Sequence, residues 1–183
     1  MRRARRTLLG VVSGLGAAVF GRRRARARQA AEIATAGRTS LLAGPSPGQT
    51  GHGATRDLTP AEISTLRPNY DPHPDGDPDP GEIIWTWVPY VENDRRGKDR
   101  PVLIVARIGE DAVAGCYLST KPRDGFISVG HGAWDPRERE SFVNPERMLR
   151  IADTGMRREG HVLDRTAFLR AVERIAESQG FSA

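Results

Sequence analysis

The chain has 183 residues, a formal net charge of +5 at pH 7 and a single cysteine. This length suits one compact domain with additional segments, and one cysteine excludes a disulfide framework within the chain, so a reducing, cytoplasmic environment is expected. The four histidines are scattered, and no zinc, EF-hand or phosphate-loop motif occurs. The sequence therefore predicts neither a metal nor a cofactor.

The positive charge is concentrated at the N-terminal end. Residues 1–28 contain nine arginines and no acid, and removing these nine charges from the overall +5 leaves −4 on residues 29–183. An anion site elsewhere in the chain must then depend on individually placed arginines. The apolar run from Leu8 to Phe20 is shorter than the about 20 residues that a spanning helix needs. Three interpretations stay open: a disordered or partly helical basic arm, an arm that contacts anionic lipid or nucleic acid, and an export signal.

Residues 29–80 have the composition of a linker. The stretch 44–53 is rich in Pro, Gly and Ser, and the stretch 71–80 contains four prolines in ten residues, which prevents a helix or a central strand. Between them, Thr59, Pro60 and Glu62 form the start signal of a short helix over 60–66. The sequence leaves open whether this helix docks on the following domain.

Residues 81–120 contain three apolar runs rich in β-branched and aromatic residues, separated by a basic loop and a tight turn. This pattern predicts three consecutive strands. Arg100 and Pro101 lie at the start of the middle strand, and Ser119 and Thr120 lie at the end of the third. Because a rigid sheet holds side chains at strand ends, a permanent cation and two hydroxyls are offered to a ligand there.

Further extended pieces are predicted over 126–129, from 141 and over 147–151. A final helix is predicted over about 165–178, with Asp164 as its N-cap and Gly180 at its C-terminal end. Its expected apolar face consists of Phe168, Leu169, Val172, Ile175 and Ala176. Five or six short strands and one helix indicate a mainly β domain over 81–183, built as a small antiparallel barrel with a C-terminal helix.

Two sets of motifs point to a family. The segment Gly81–Trp85, a loop and the run Arg100–Val105 are similar to the PemK/MazF family of toxins from type II toxin–antitoxin systems, and the segments 134–141 and 155–160 resemble its actinobacterial PemK-like branch. The resemblance covers about residues 81–178. It implies an SH3-like barrel of the PemK/CcdB type, a homodimer and a metal-independent endoribonuclease that cleaves single-stranded RNA, typically mRNA. It also implies a cognate antitoxin with an acidic tail.

The resemblance also implies functional residues. The family's catalytic arginine falls on Arg100, and its catalytic threonine or serine falls on Thr120, with Ser119 beside it. Some members have an acid five positions before the arginine, where this chain has Arg95. The resemblance therefore leaves the proton acceptor open.

The chemistry agrees with these residue types. Cleavage by the 2′-oxygen needs an aligned attack, removal of the hydroxyl proton and stabilisation of negative charge on the phosphate. A guanidinium matches phosphate oxygens and is a poor proton carrier, so Arg100 suits the stabilising role. The candidate proton acceptors are Glu92, Asp94 and His131, and Asp99 is a candidate to orient Arg100. The expected RNA contacts come from the stacking residues Tyr90 and Trp134 and from the cations Arg95, Arg96 and Lys98.

Two other classes of function stay open. The first is a binding protein without chemistry, acting on DNA gyrase or nucleic acid, which fits the missing acid at Arg95. The second is a membrane-associated regulator, for which residues 1–28 are the only indication. For the remaining residues, one of Trp85 and Trp87 is expected in the core, Cys116 is expected to be a buried apolar residue, and the charges 157–159 are expected at the surface.

Overall fold

The computed structural model describes residues 44–182 except Pro74 and Asn93, so the arm 1–28 and the first part of the expected linker lie outside the described residues. The chain divides into two units, Met1–Gly44 and Pro45–Ala183. All structural statements below concern the second unit.

The described part of this unit contains eight strands and two α-helices. The strands are β1 Arg56–Asp57, β2 Glu82–Pro89, β3 Gly97–Ile108, β4 Ala112–Ser119, β5 Ile127–Gly130, β6 Ser141–Val143, β7 Leu149–Ala152 and β8 Arg157–Val162. The helices are α1 Pro60–Thr65 and α2 Arg165–Gln179, and a 3-10 turn covers Asp153–Gly155. The expectation of a mainly β chain with a C-terminal helix is confirmed.

The strands pair in the order β1-β7-β4-β3-β2-β8, with β6 on β4 and β5 on β6. All of these pairs are antiparallel, and the hairpins β2–β3 and β3–β4 form the centre of the sheet. Their register sets Thr86 opposite Arg100 and Val102 opposite Tyr117. Because successive side chains of a strand point to opposite faces, Arg100 shares a face with Val102, and Asp99 lies on the other face with Pro101.

The apolar residues form two clusters. The larger one contains Ile83, Leu103 and Cys116 together with Phe168 and Ile175 of α2. The smaller one joins residues of β2, β3, β4 and β7, namely Ile84, Val88, Val102, Ile104, Val113, Leu149 and Ile151. Helix α2 follows the sequence expectation closely: Asp164 accepts from two backbone N–H groups at its start, and Gly180 ends it at φ 72°.

One residue of the expected apolar face of α2 is on the outside. Leu169 is 52% exposed, whereas Phe168 is 1% exposed. In a helix of about 3.6 residues per turn, adjacent residues point about 100° apart. The stripe is therefore centred on Phe168, Val172 and Ile175, and Leu169 lies at its margin.

The compact unit begins at Pro45 rather than at the expected boundary, Gly81. Leu58 and Leu66 are buried in the larger cluster, and the Tyr70 hydroxyl donates to the Leu163 carbonyl at 2.9 Å. Helix α1 begins at the predicted capping box of Thr59 and Glu62. The Pro-rich composition correctly predicts that the described part of residues 45–80 contains no long helix or strand. An extended segment can nevertheless bury apolar side chains.

Residues 45–55, here called the strap, lie against β2. The Trp87 N–H donates to the Pro47 carbonyl at 3.0 Å, and the hydroxyls of Thr55 and Thr86 lie 2.8 Å apart. Thr86 Oγ1 in turn donates to the Gly155 carbonyl at 2.7 Å. Since Thr86 is opposite Arg100 in the ladder, the strap supports the part of the sheet that carries Arg100.

Strand β8 was not predicted from the sequence, because its charged residues were expected at the surface. In the structure Arg157 and Arg158 are only partly exposed. Arg158 pairs with the buried carboxylate of Glu82 at 2.8 Å, and Arg157 pairs with Asp99 at 3.0 Å. These partners lie on β2 and β3, so they allow a highly charged segment to be a strand next to β2.

Candidate functional site

Two cavities lie beside the start of β3. Cavity A has a volume of about 280 Å³, and its walls include Trp85, Asp99, Arg100, Leu118, Ser119, Thr120, Arg123 and Trp134. Cavity B has a volume of about 430 Å³, and its walls include Tyr90, Val91, Glu92, Arg96, Arg100, Tyr117, Arg123 and Arg147. Both volumes are near the lower end of the range of small-ligand sites, roughly 300–1,000 Å³.

Arg100 and Arg123 line both cavities. Within the described residues, neither guanidinium forms a salt bridge or a side-chain hydrogen bond. The other arginines of the two walls are paired: Arg96 with Asp94, Arg139 with Asp135, and Arg147 with Asp57. Arg100 and Arg123 therefore have N–H donors free for an anionic ligand.

Arg100 is held by an aromatic ring. Its Cζ lies 4.8 Å from the ring centroid of Tyr117, which is a cation–π distance. Asn144 Nδ2 donates to the Tyr117 hydroxyl at 3.0 Å, and the Tyr117 ring meets Phe126 edge-on at 6.4 Å between centroids. The ring fixes the cation in place without saturating its hydrogen-bond donors.

The two predicted hydroxyls lie in the wall of cavity A, together with Arg100. They differ in their hydrogen bonds. Ser119 Oγ accepts from the Lys121 N–H at 3.0 Å and donates to the Lys121 carbonyl at 3.3 Å. Among the described residues, the Thr120 hydroxyl has no such partner, so Thr120 is the more available of the two.

The three candidate proton acceptors differ in their position relative to the two cavities. Glu92 lines cavity B, whereas His131 lines neither cavity. Asp94 is exposed and accepts from Arg96 at 2.6 Å, and this hydrogen bond holds the pKa of Asp94 below its usual value. Of the three, Glu92 shares a cavity with Arg100.

The prediction that Asp99 orients Arg100 is wrong. Asp99 Oδ2 accepts from Arg157 at 3.0 Å and from the Ser46 hydroxyl at 3.3 Å. Alternation along β3 directs the two adjacent side chains to opposite faces, and these two partners occupy Asp99 Oδ2, although Asp99 and Arg100 both line cavity A. Asp99 Oδ1 and Trp85 Nε1 are buried and have no hydrogen-bond partner among the described residues, and both side chains belong to cavity A.

The predicted RNA-contacting residues are divided between the cavities. Tyr90 and Arg96 line cavity B, Lys98 lines cavity A, and Arg95 lines neither. Trp134, expected in an exposed loop, is 6% exposed, and its Nε1 donates to Ser141 Oγ at 3.0 Å. Trp134 is therefore a wall of cavity A rather than a free stacking platform.

The packing of Trp134 explains this difference. A Cβ at Gly132 would overlap the Trp134 ring, so the glycine permits the loop to fold back over the indole. Asp135, the next residue, is also buried, and Arg139 donates to both of its oxygens at 2.8 and 2.9 Å, which lowers the pKa of Asp135.

Three residues of the site were missed: Tyr117, Arg123 and Asn144. Tyr117 lies within an apolar strand, and Arg123 lies in a turn with other charges. Neither position carries a sequence signal, because Tyr117 reaches Arg100 through the pairing of β3 with β4, and Arg123 reaches the same cavities from the turn that follows β4.

No protein-family model and no curated protein sequence matches this chain. Similar solved structures include an endoribonuclease in complex with its cognate antitoxin from a mycobacterial species, at 15% identity and a TM-score of 0.43, covering 58% of this chain and 97% of that chain. A MazE–MazF complex from Deinococcus radiodurans has 13% identity and a TM-score of 0.43, covering 57% and 97%. A mycobacterial endoribonuclease has 15% identity and a TM-score of 0.42, covering 58% and 95%. Similarity at this level leaves the function to be argued from the chain's own residues.

The described residues contain neither a membrane-spanning helix nor a cluster of metal ligands. None of the helices between residues 44 and 182 is long and apolar enough to cross a membrane. In the same part of the chain, no group of three or more His, Cys, Asp or Glu side chains is arranged to hold a metal ion. The expected lipid contact of residues 1–28 lies outside the described residues.

Proposed function

We propose that this chain is the toxin of a type II toxin–antitoxin pair and an endoribonuclease that binds single-stranded RNA across cavities A and B. The observation that carries the proposal is the pair of guanidinium groups, Arg100 and Arg123, which line both cavities and have no carboxylate partner among the described residues. Two such groups match the oxygens of one phosphate. The toxin part of the proposal comes from the sequence resemblance to PemK/MazF.

The reaction is an internal transfer. The 2′-oxygen attacks phosphorus, the bond from phosphorus to the 5′-oxygen breaks, and the products are a 2′,3′-cyclic phosphate and a 5′-hydroxyl end. The 2′-hydroxyl proton passes to water, and the departing 5′-oxygen takes a proton from water. Arg100 and Arg123 stabilise the negative charge on the phosphate oxygens, and Thr120 donates to one of them or holds the 2′-hydroxyl.

The same two arginines can also bind the acidic tail of the proposed antitoxin partner. A flexible acidic tail of an antitoxin offers carboxylates, which bind guanidinium groups in the same forked geometry as phosphate. Arg100 and Arg123 are the unpaired cations that the two cavities share. We infer that such a tail inhibits by occupying them, and that the chain acts as a homodimer, as the resemblance implies.

The test is digestion of single-stranded RNA by the full chain in EDTA, with analysis of the product ends. The wild-type chain is expected to give cyclic-phosphate ends, and Arg100→Ala is expected to lower the rate about 10²–10³-fold. Arg137→Ala is the control, because Arg137 is exposed and lines neither cavity. Thr120→Ala is expected to cost more activity than Ser119→Ala. Equal cleavage by wild type and Arg100→Ala, or loss of activity in EDTA, would contradict the proposal.

A binding protein without chemistry is the second candidate. It is favoured by the carboxylates around the cavities, because Asp94, Asp99 and Asp135 are each held by an arginine. In Asp94 and Asp135 the bound guanidinium stabilises the ionised form and lowers the pKa, so these two carboxylates are poor proton acceptors. RNA binding without any product, or inhibition of DNA supercoiling by gyrase without RNA cleavage, would support this candidate.

A further inference from the structure

The two cavities that meet at Arg100 and Arg123 differ in the chemistry of their walls. Cavity A contains the hydroxyls of Ser119 and Thr120 beside the apolar surface of Trp85 and Leu118. Cavity B contains no serine or threonine among the described residues, and its outer wall carries Tyr90 and Val91. An RNA strand that crosses the two arginines therefore meets different groups on each side of the phosphate.

The difference between the two walls predicts the 5′-to-3′ direction in which the RNA lies across the cavities. In attack by the 2′-oxygen, the attacking hydroxyl belongs to the ribose on the 5′ side of the reacting phosphate. The side-chain hydroxyls that can align it lie in cavity A. Resting on the proposed function, we propose that the nucleotide 5′ of the cleaved phosphate occupies cavity A and the nucleotide 3′ of it occupies cavity B.

Each cavity has an apolar or aromatic surface on which the base of one nucleotide can pack. Cavity A offers indole and leucine surfaces to a base, and its rim carries the cations Lys98 and Lys121. In cavity B, Tyr90 is 36% exposed and Val91 is 79% exposed, so a base entering from solvent has an aromatic face to stack on. Tyr117, which also lines cavity B, is already covered on one face by Arg100.

The experiment uses dinucleoside monophosphates, whose one phosphate fixes their register on the arginines. The 5′ sugar is 2′-deoxyribose, so the probe is not cleaved, and a photoreactive 4-thiouracil is placed on the 5′ or the 3′ nucleotide. After irradiation with the full-length protein, the modified residues are mapped by mass spectrometry. The 5′ label is expected on Trp85 or residues 118–120, and the 3′ label on residues 88–92.

A matched variant tests cavity B separately. Tyr90→Ala is expected to lower the yield of the 3′-label adduct about 10-fold and to leave the 5′-label adduct unchanged. Exchanged positions of the two labels, both labels in one cavity, adducts elsewhere, or an equal effect of Tyr90→Ala on both labels would overturn the proposal. Because the probe cannot be cleaved, the expected adducts together with an inactive enzyme in the RNA digestion would reject the cleavage step alone.

Discussion

The Cζ of Arg100 lies 4.8 Å from the centroid of the Tyr117 ring, across the pair of strands β3 and β4. Neighbouring arginines such as Arg96 and Arg139 are held by carboxylates instead. A carboxylate fixes a guanidinium by occupying its donors, whereas an aromatic face fixes it and leaves the donors free. Tyr117 is therefore a positioning residue for the cation that we propose to contact the phosphate.

The role of Tyr117 gives the first prediction. Tyr117→Leu removes the aromatic face and is expected to lower kcat for RNA cleavage about 10-fold with a small change in KM, since cation–π contacts contribute about 0.5–2 kcal/mol. Tyr117→Phe keeps the ring and is expected to retain most of the activity. Steady-state kinetics on a short RNA measure both constants. If the two variants lose kcat equally, the ring is not what positions Arg100.

Arg123 is predicted to contact a phosphate. For single-stranded nucleic acid, each phosphate contact contributes about 0.7 to the slope of log K against log salt. Arg123→Ala should therefore weaken RNA binding and reduce this slope by about 0.7. The control is Arg170→Ala, an exposed position on α2 that lines neither cavity. Fluorescence anisotropy over a salt series measures the slope, and an unchanged slope in Arg123→Ala would exclude the contact.

The strap and the segment after it are predicted to be necessary for stability. A chain that starts at Pro45 keeps the whole of this compact unit, so it is compared with the full chain and with a shorter chain. A chain that starts at Gly81 loses Leu58 and Leu66 from the larger apolar cluster. Loss of a buried leucine side chain costs about 2–5 kcal/mol, so this shorter chain should unfold well below the other two. Equal midpoints for all three would show that residues 45–80 contribute nothing to the domain.

Stability should depend on the charge of Glu62 at low pH. The hydrogen bond from Arg56 lowers the pKa of Glu62 from 4.5 to about 2. The ionised carboxylate therefore stabilises the folded state above pH 4.5, and this contribution is lost as the pH falls from about 4.5 to about 2. Because the pair is partly exposed, with side-chain exposures of 49% and 27%, it is worth at most about 1 kcal/mol.

The matched variant is Glu62→Gln, which keeps the capping box and removes the charge. Urea unfolding at a series of pH values should show a smaller loss of stability between pH 4.5 and pH 2 in this variant than in the wild type. An identical pH dependence would mean that the Arg56–Glu62 pair is not formed in solution.

Cys116 should be chemically inert in the folded protein. The thiol is buried in the larger cluster, and this burial raises its pKa to about 12. At pH 8 iodoacetamide should therefore leave it unmodified in the native protein and alkylate it fully in 6 M guanidinium chloride. Mass spectrometry measures the added mass, and rapid modification of native protein would place Cys116 at the surface.

Local sequence patterns were sufficient for the central hairpins and for both helices. The hairpins β2–β3 and β3–β4 follow from their alternating apolar runs, and α2 follows from Asp164, its apolar stripe and Gly180. The placement of Arg100, Ser119 and Thr120 at one cavity follows from the same strands. These features depend on residues close in sequence or on adjacent strands, which is the information that periodicity carries.

The remaining features depend on contacts between distant segments. The strap lies on β2 through Thr55 and Thr86, which are 31 positions apart in sequence, and β8 is stabilised by Glu82 and Asp99 on other strands. Trp134 was expected outside because its loop is rich in glycine, yet Gly132 is what allows the ring to be buried. Composition describes what a segment can form by itself, and it does not describe what the segment packs against.

The buried hydroxyl of Thr86 joins three separate stretches of chain at one oxygen atom. It contacts the hydroxyl of Thr55 and the carbonyls of Pro47 and Gly155, on the strand directly opposite Arg100. The strand that pairs with the proposed catalytic arginine is therefore tied to the strap by these hydrogen bonds. A fragment of residues 81–183 lacks Thr55 and Pro47, which are two of the three neighbours of this oxygen. The shortest fragment that keeps the support of the site therefore begins before Pro47.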